Sequence, residues 1–310
     1  MENLAPTIDG ALAEASARPI ADGDEIAPGL RALHKLGESN THEVFIAWDD
    51  ERYTIVAAKL LLPHLVDHEG ARKDLAHEAA LLRALDHPVL PRCFSADLAA
   101  DRPHITLEYV DGPRLSTVIR RQRVLGVEQV VPLLQQVTAA LHYLHGKGLV
   151  HLDVKPKNVI MSPPPRLIDL SVARRIEAAR ETTRPVGTDP YMAPEQCGTG
   201  LAHLMGPATD VWGLGVTMYE SLVSERPFRR GDRDASGAAR FPQLIEDPAP
   251  IPRDIPDRLA MLIAATLERR PADRPTAAEV ADELDPVIED APRKLLLGKF
   301  RVSTWKPART

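Results

Sequence analysis

The sequence predicts an α+β fold with two unlike halves, β-rich first and helical second. Three observations predict it. From Leu30 to about Val110 the chain runs in short apolar β-like stretches, broken by one helical pattern over roughly Gly70 to Leu85. Gly112-Pro113 then punctuates the chain and its character changes. Beyond it, Val130, Leu133, Leu134, Val137, Leu141 and Leu144 form a helical stripe ended by Gly146-Lys147-Gly148, and Val211 to Val223 is apolar on nearly every side, as a buried helix is.

Residues 1 to about 27 are rich in Ala, Pro and acids without a sustained period, which predicts a flexible extension. Thr54 to Leu60 reads as a buried strand whose two-residue period puts Ala57 and Lys59 on one face. A buried lysine needs an anion. Glu78, on the apolar face of the following helix with Leu75, Leu82 and Leu85, is the natural partner. Ile105 to Gly112 reads as a strand running into an Asp-Gly turn, by itself compatible with a sheet edge. Residues 229 to 256 hold many Pro, Gly and Arg and predict a long surface loop. Its Arg229, Arg230 and Arg233 read first as a solvated basic cluster and second as a site for acidic substrate segments. Helical patterns return at Asp257 to Glu268 and Thr276 to Leu284, which sets a domain over 28–290 and leaves a basic tail at 291–310.

The chain of 310 residues carries a formal net charge of −6, which argues against nucleic-acid and anionic-membrane partners. Cys93 and Cys197 are its only cysteines, too few for a disulfide framework or a four-cysteine zinc site. No apolar run approaches the ~20 residues that span a bilayer, and the first residues lack a basic-then-apolar start. The expectation is a soluble cytoplasmic protein. His64 and His68 have metal-ligand spacing but no third ligand nearby, and read as surface residues.

The chemistry concentrates in His151-Leu152-Asp153-Val154-Lys155-Pro156-Lys157-Asn158, followed by Asp169. Asp153 suits a hydroxyl proton, Lys155 a moving phosphoryl group, and Asn158 with Asp169 a Mg²⁺ ion. Taken alone, His-x-Asp is a polar turn. Here Gly187-Thr188-Asp189-Pro190-Tyr191-Met192-Ala193-Pro194-Glu195, Asp210-Val211-Trp212-Gly213-Leu214-Gly215 and Arg274-Pro275-Thr276 follow in order.

On these motifs, with Val56-Ala57-Ala58-Lys59 and Glu78, the chain resembles the eukaryotic-type serine/threonine protein kinases, as found in bacteria. The resemblance runs from Gly37 to Thr276 and implies a bilobal fold, a β-rich N-lobe to about 110 and a helical C-lobe from about 113, with MgATP between them. It implies Asp153 and Lys155 as catalytic, Lys59 on the phosphates and positioned by Glu78, and Asn158 and Asp169 on Mg²⁺. Gly37, Val44, Ala57, Glu108, Val110 and Ile160 would hold the nucleotide, Glu108 and Val110 through backbone groups, with Leu107 controlling the rear pocket. Glu195 and Arg274 would pair. Lys155 and Thr188 would bracket a short hydroxyl, so the acceptors are Ser or Thr of proteins, this chain included, with a regulatory partner reached through either terminus.

Several residues depart from the family pattern. Ser39 and His42 stand at two of the three glycine positions of the phosphate loop, which implies weaker ATP affinity. Leu152 replaces the arginine that clamps a phosphorylated activation loop, so activity is expected to be largely independent of phosphate on Thr182 or Thr183. Arg174, Arg175, Arg180 and Arg184 are the substitute cations nearby. Asp169-Leu170-Ser171 has serine where the family has glycine. The rival reading is a kinase-fold scaffold with weak or no transfer. Ser39, His42 and Ser171 speak for it; Lys59, Glu78, Asp153, Asn158 and Asp169 speak against it.

Overall fold

The computed structural model describes residues 20–289 apart from residue 253. The expected extension up to residue 19 and the basic tail at 291–310 lie outside the described residues. The chain forms two lobes, a curled antiparallel sheet above a helical body.

The sheet comprises β1 (Glu25–Ala27), β2 (Leu30–Glu38), β3 (His42–Asp49), β4 (Thr54–Leu61), β5 (Cys93–Asp97) and β6 (His104–Glu108), in the spatial order β1-β2-β3-β4-β6-β5. Alternation along β4 sorts the lobe. Val56, Ala58 and Leu60 point into a core with Leu30, Ala32, Phe45 and Ala47. Lys59 and Leu61 point the other way, where Leu61 packs with Ala71, Leu75 and Ala79 of α1 (Glu69–Ala84). His68 caps that helix by accepting the Ala71 N–H at 3.1 Å, a local use for one of the two histidines at metal spacing.

Two expectations change here. Residues 25–27 form β1 rather than flexible chain, because Ile20, Ile26 and Ala27 cover the end of the β2–β3 core. Three residues are too few to show a period in sequence. The strand ending at Glu108 is also no edge, since β6 lies between β4 and β5.

In the lower lobe, α2 (Leu115–Gln122) was not expected; Thr117, Val118 and Ile119 are β-branched, and burial of Leu115 and Ile119 outweighs their weak helix preference. Helix α3 (Val127–Gly146) carries the stripe read from the sequence. Two short antiparallel pairs follow, β7 (Leu149–Val150) with β10 (Arg174–Arg175) and β8 (Val159–Ile160) with β9 (Arg166–Leu167). Between them, residues 151–158 are held at both ends, and Asp169 emerges two residues after β9. Next come α4 (Ile176–Arg180) and the buried α5 (Pro207–Val223). The stretch 229–256 is more ordered than a surface loop: it forms α6 (Gly237–Arg240) and buries Phe241 and Gln243. Gln243 Nε2 donates to the carbonyls of Asp189 (2.9 Å) and Met192 (3.0 Å), tertiary bonds that no local pattern announces. Helices α7 (Asp257–Thr266) and α8 (Ala277–Glu289) complete the lobe. Among the described residues no helix is long and apolar enough to cross a membrane.

Arg274 and Glu195 are both fully buried and paired fork to fork, at 2.7 and 3.0 Å. Thr209 donates to the same carboxylate at 2.8 Å, and the guanidinium lies 4.9 Å over the Trp212 ring. Arg274→Met strands a buried carboxylate and is expected to lower unfolding free energy by about 3–5 kcal/mol. Arg258→Ala, which breaks a half-exposed pair with Glu283, is expected to cost less than about 1 kcal/mol. Urea denaturation of both variants measures the contrast.

Candidate active site

The loop after β7 is fixed by one buried carboxylate. Asp210, on the first turn of α5, accepts the His151 N–H at 2.8 Å, the Leu152 N–H at 2.7 Å and approaches His145 Nε2 at 2.9 Å. Leu152 is left-handed (φ 64°), a conformation that costs a leucine about 1–2 kcal/mol. Its surroundings enforce it. Gln196 Nε2 donates to its carbonyl at 2.8 Å, and its side chain is buried with Val150, Ala179, Val186 and Met205. A Cβ on Gly187 would lie 2.6 Å from that same carbonyl, and Gly187 itself has φ 112°, so only glycine fits there.

Asp153 follows Leu152 and therefore inherits its aim. Thr188 Oγ1 donates to Asp153 Oδ1 at 2.7 Å, and Lys155 Nζ bonds both Asp153 Oδ2 and Thr188 Oγ1, the latter at 2.6 Å. One carboxylate thus holds a threonine hydroxyl and an ammonium together. Asn158 turns its amide nitrogen back onto Asp153, bonding the carbonyl at 2.9 Å and Oδ2 at 3.1 Å. That commits its N–H groups and leaves its oxygen for a cation. The Ile168 N–H donates to the Asn158 carbonyl at 2.8 Å, which brings the segment leading to Asp169 alongside.

Asp169, also left-handed (φ 70°), accepts Lys59 Nζ at 3.0 Å. The same ammonium reaches Glu78 at 2.7 and 2.9 Å. Burial alone would lower the Lys59 ammonium, but Glu78 and Asp169 outweigh it and hold it above its ordinary value. Burial alone would raise the Asp169 carboxyl. Lys59, with a hydroxyl bond from Ser171, holds it well below the usual carboxylate range. Ser171 therefore supports the ionised carboxylate. An amide oxygen and an obligately ionised carboxylate are the hard oxygen donors that Mg²⁺ takes, and Asp169 keeps 37% of its side chain exposed. The residues present fit the ion.

Of the positions expected to hold the nucleotide, Val44 and Ala57 share the Lys59 face of the sheet. Val44 lies opposite Lys59, and Ala57 opposite Leu107, in the sheet register. Val44, Ala57, Val110 and Ile160 are each half-buried, whereas the neighbours Phe45, Val56, Ala58 and Val159 are fully buried. The Glu108 side chain is taken by Arg166 at 2.9 Å, and the chain leaves β6 there, so that Tyr109 to Asp111 belong to no strand or helix. Gly37 is the last residue but one of β2, near the turn that closes the phosphate loop. Ser39 Oγ accepts the His42 N–H at 3.1 Å and the Thr41 N–H at 3.3 Å, so serine at a glycine position ties the loop to itself.

His42 is the residue whose placement the sequence did not reveal. Pairing with Leu61 in the register puts it on the face of Val44 and Lys59. Its ring is 4% exposed, Nδ1 bonds Thr41 Oγ1 at 2.7 Å, and Nε2 has no hydrogen-bond partner. Burial, with the Lys59 charge adding to it, holds the imidazole down at about 4. Asp210 and Gln196 were also missed as positioning residues. The Asp-x-Trp-x-x-Gly pattern marks Asp210's helix in sequence, but nothing local tells that its carboxylate caps residues 151 and 152.

The chain is similar to known proteins over most of its length. The protein kinase domain family matches residues 30–284. Serine/threonine-protein kinase PknA of Mycobacterium tuberculosis is 37% identical over 175 residues, 55% of this chain and 39% of that protein. The probable serine/threonine-protein kinase PkwA of Thermomonospora curvata is 30% identical over 271 residues, 86% of this chain and 35% of that protein. PknB of Mycolicibacterium smegmatis is 29% identical over 278 residues, 84% of this chain and 44% of that protein. The chain spans between about a third and a half of the length of these relatives. It belongs to the protein kinase family, whose members use ATP and Mg²⁺.

The His42 ring stays neutral in the folded protein until pH nears 4, whereas in the unfolded chain it charges below about 6.5. The unfolded state then binds the extra proton, so stability falls as pH drops through this window, by at most about 3 kcal/mol. Urea midpoints between the two pH values should show this slope in the wild type and a flatter one in His42→Leu.

Proposed function

We propose that this chain is an active serine/threonine protein kinase domain that transfers the γ-phosphoryl group of ATP to Ser or Thr hydroxyls of proteins. The observation that carries the reading is the Thr188 hydroxyl held between Asp153 and Lys155. That contact is the one an acceptor hydroxyl needs: a carboxylate at its proton and an ammonium beside its oxygen. A Tyr hydroxyl stands off its backbone by a ring's length, which disfavours it at a position bracketed by short reach.

When bound, MgATP supplies the phosphoryl group and the divalent charge that offsets its oxygens. The chain's own residues do the rest. Asp153 orients the acceptor hydroxyl and takes its proton. Lys155 neutralises charge as it moves from donor to acceptor. Lys59, kept cationic and aimed by Glu78, binds phosphate oxygens, and Asn158 with Asp169 would hold the ion. Half-buried Val44, Ala57 and Ile160 suit the faces of an adenine ring, and the backbone of Glu108 and Val110 suits its edge. Most of the rate gain in such a site comes from positioning and preorganised charge. Against the scaffold alternative, Ser171 supports an ionised Asp169, Lys59 joins Glu78 to Asp169, and Asn158 joins Asp153.

We also propose a cytoplasmic site of action. Cys93 and Cys197 are free thiols, which suits a reducing compartment. A regulatory partner acting through either terminus belongs to the same reading, on the pattern of Phe300 and Trp305 among basic residues.

Asp153→Asn is expected to abolish transfer of radiolabel from ATP to protein while leaving nucleotide affinity within a few fold, read by calorimetry. Unchanged turnover would refute the role of Asp153. Leu152 is sealed in an apolar cluster with Ala179 and Val186 of the activation segment, where the family arginine would await a phosphate. Thr182→Ala combined with Thr183→Ala is therefore expected to retain activity within about three-fold. Phosphate-stripped enzyme assayed beside the double variant checks it.

A further inference from the structure

Five arginines, Arg226, Arg229, Arg230, Arg233 and Arg240, line a cleft of about 250 Å³ whose wall includes Thr188, the residue hydrogen-bonded to Asp153. Such a concentration is unexpected in a chain of net charge −6. The only carboxylate among the lining residues is Asp189, and Arg240 consumes it through two bonds of 2.8 and 3.1 Å. Arg229 pairs with Glu246. Among the described residues, Arg226, Arg230 and Arg233 have no carboxylate within ion-pair distance. Arg226 feels the charge of Glu220, whose carboxylate also accepts the Tyr191 hydroxyl at 2.6 Å.

The loop that carries Arg230 and Arg233 is held against Arg240 by its backbone. Gly231 packs so closely on Arg240 that an added Cβ would overlap the Arg240 carbonyl, and the Asp232 N–H donates to the Ala239 carbonyl at 3.0 Å. Asp232 and Asp234 share the loop but do not line the cleft; Asp232 Oδ1 accepts the Asp234 N–H at 3.0 Å. Arg230 and Arg233 add positive charge beside three arginines whose charge is already matched, and an anion entering the cleft relieves the excess. The cleft is smaller than the ~300 Å³ at which small-molecule sites begin, and suits one side chain or two rather than a nucleotide.

We propose that this cleft selects acceptor proteins carrying an anionic side chain, aspartate, glutamate or a phosphorylated residue, close in sequence to the phosphorylated Ser or Thr. The inference rests on the kinase reading and names the substrate class of the same site. Guanidinium forks bind carboxylate and phosphate alike. An acidic flank also steers the segment to a cleft that opens beside Asp153.

The test uses the full chain and fluorescein-labelled peptides with one central serine or threonine. The flanks are aspartate or glutamate, phosphoserine, alanine, or lysine. Binding is read by anisotropy, and transfer separately by radiolabel. Acidic or phosphorylated flanks are expected to bind about ten-fold tighter than alanine, with the advantage shrinking as salt rises. Gain with phosphoserine alone assigns a primed substrate; gain with aspartate as well assigns charge as sufficient. Arg230→Glu combined with Arg233→Glu should erase the preference and favour lysine flanks, and Arg230→Gln with Arg233→Gln should halve it or more. Arg120→Glu combined with Arg121→Glu, the same charge change on the exposed surface of α2, should leave it intact. Equal binding of all peptides by the wild type, or an acidic preference surviving the glutamate pair in protein of unchanged melting temperature, overturns the inference. Absence of transfer to every peptide overturns the kinase assignment alone, because anisotropy is read without it.

Discussion

One ammonium ties the two lobes together. Lys59 belongs to the central strand of the upper sheet, yet it bonds Glu78 on the helix beside that sheet and Asp169 in the lower lobe. A buried lysine between two carboxylates survives only if both stay in reach, because an unpaired charge there costs several kcal/mol. The closure of the cleft and the ionised state of Asp169 are thus one electrostatic arrangement. A triphosphate entering the cleft would meet a cation already oriented.

A second constraint works from below. Asp210 caps two successive N–H groups of the transfer loop from a fully buried helix, while Gln196 and the Leu152 side chain hold the same loop from the activation segment. Left-handed Leu152 and Asp169 store local strain that these contacts over-determine. Many kinases have an arginine where Leu152 stands. An apolar plug stabilises the segment by burial, which needs no phosphate and carries no electrostatic switch.

The phosphate loop shows the opposite tendency. Serine and histidine at glycine positions give it side chains, and those side chains bond within the loop or turn beneath it. His42 brings a dry imidazole to the face that carries Lys59, so the roof of the site is stiffer and less open than a glycine loop would make it.

The sequence determined a great deal here. Strand period put Ala57 and Lys59 on one face, helix period put Glu78 where it meets them, and Glu195 with Arg274 were nameable as a pair across 79 residues. The first two rest on short-range periodicity written in the chain itself, and the pair rests on ordered motifs and the family resemblance they carry. The tertiary structure decided the rest. Whether β6 is central, that residues 25–27 join the sheet, that Gln243 is buried and that His42 lacks a partner at Nε2 depend on which distant segments arrive as neighbours. So does the arginine cleft: Arg229, Arg230 and Arg233 read in sequence first as a solvated cluster, and only the fold sets them with Arg226, Arg240 and Thr188 around one cleft. Charge alone could not say this, because the field of an arginine is set by the counter-charges that folding brings near it or keeps away.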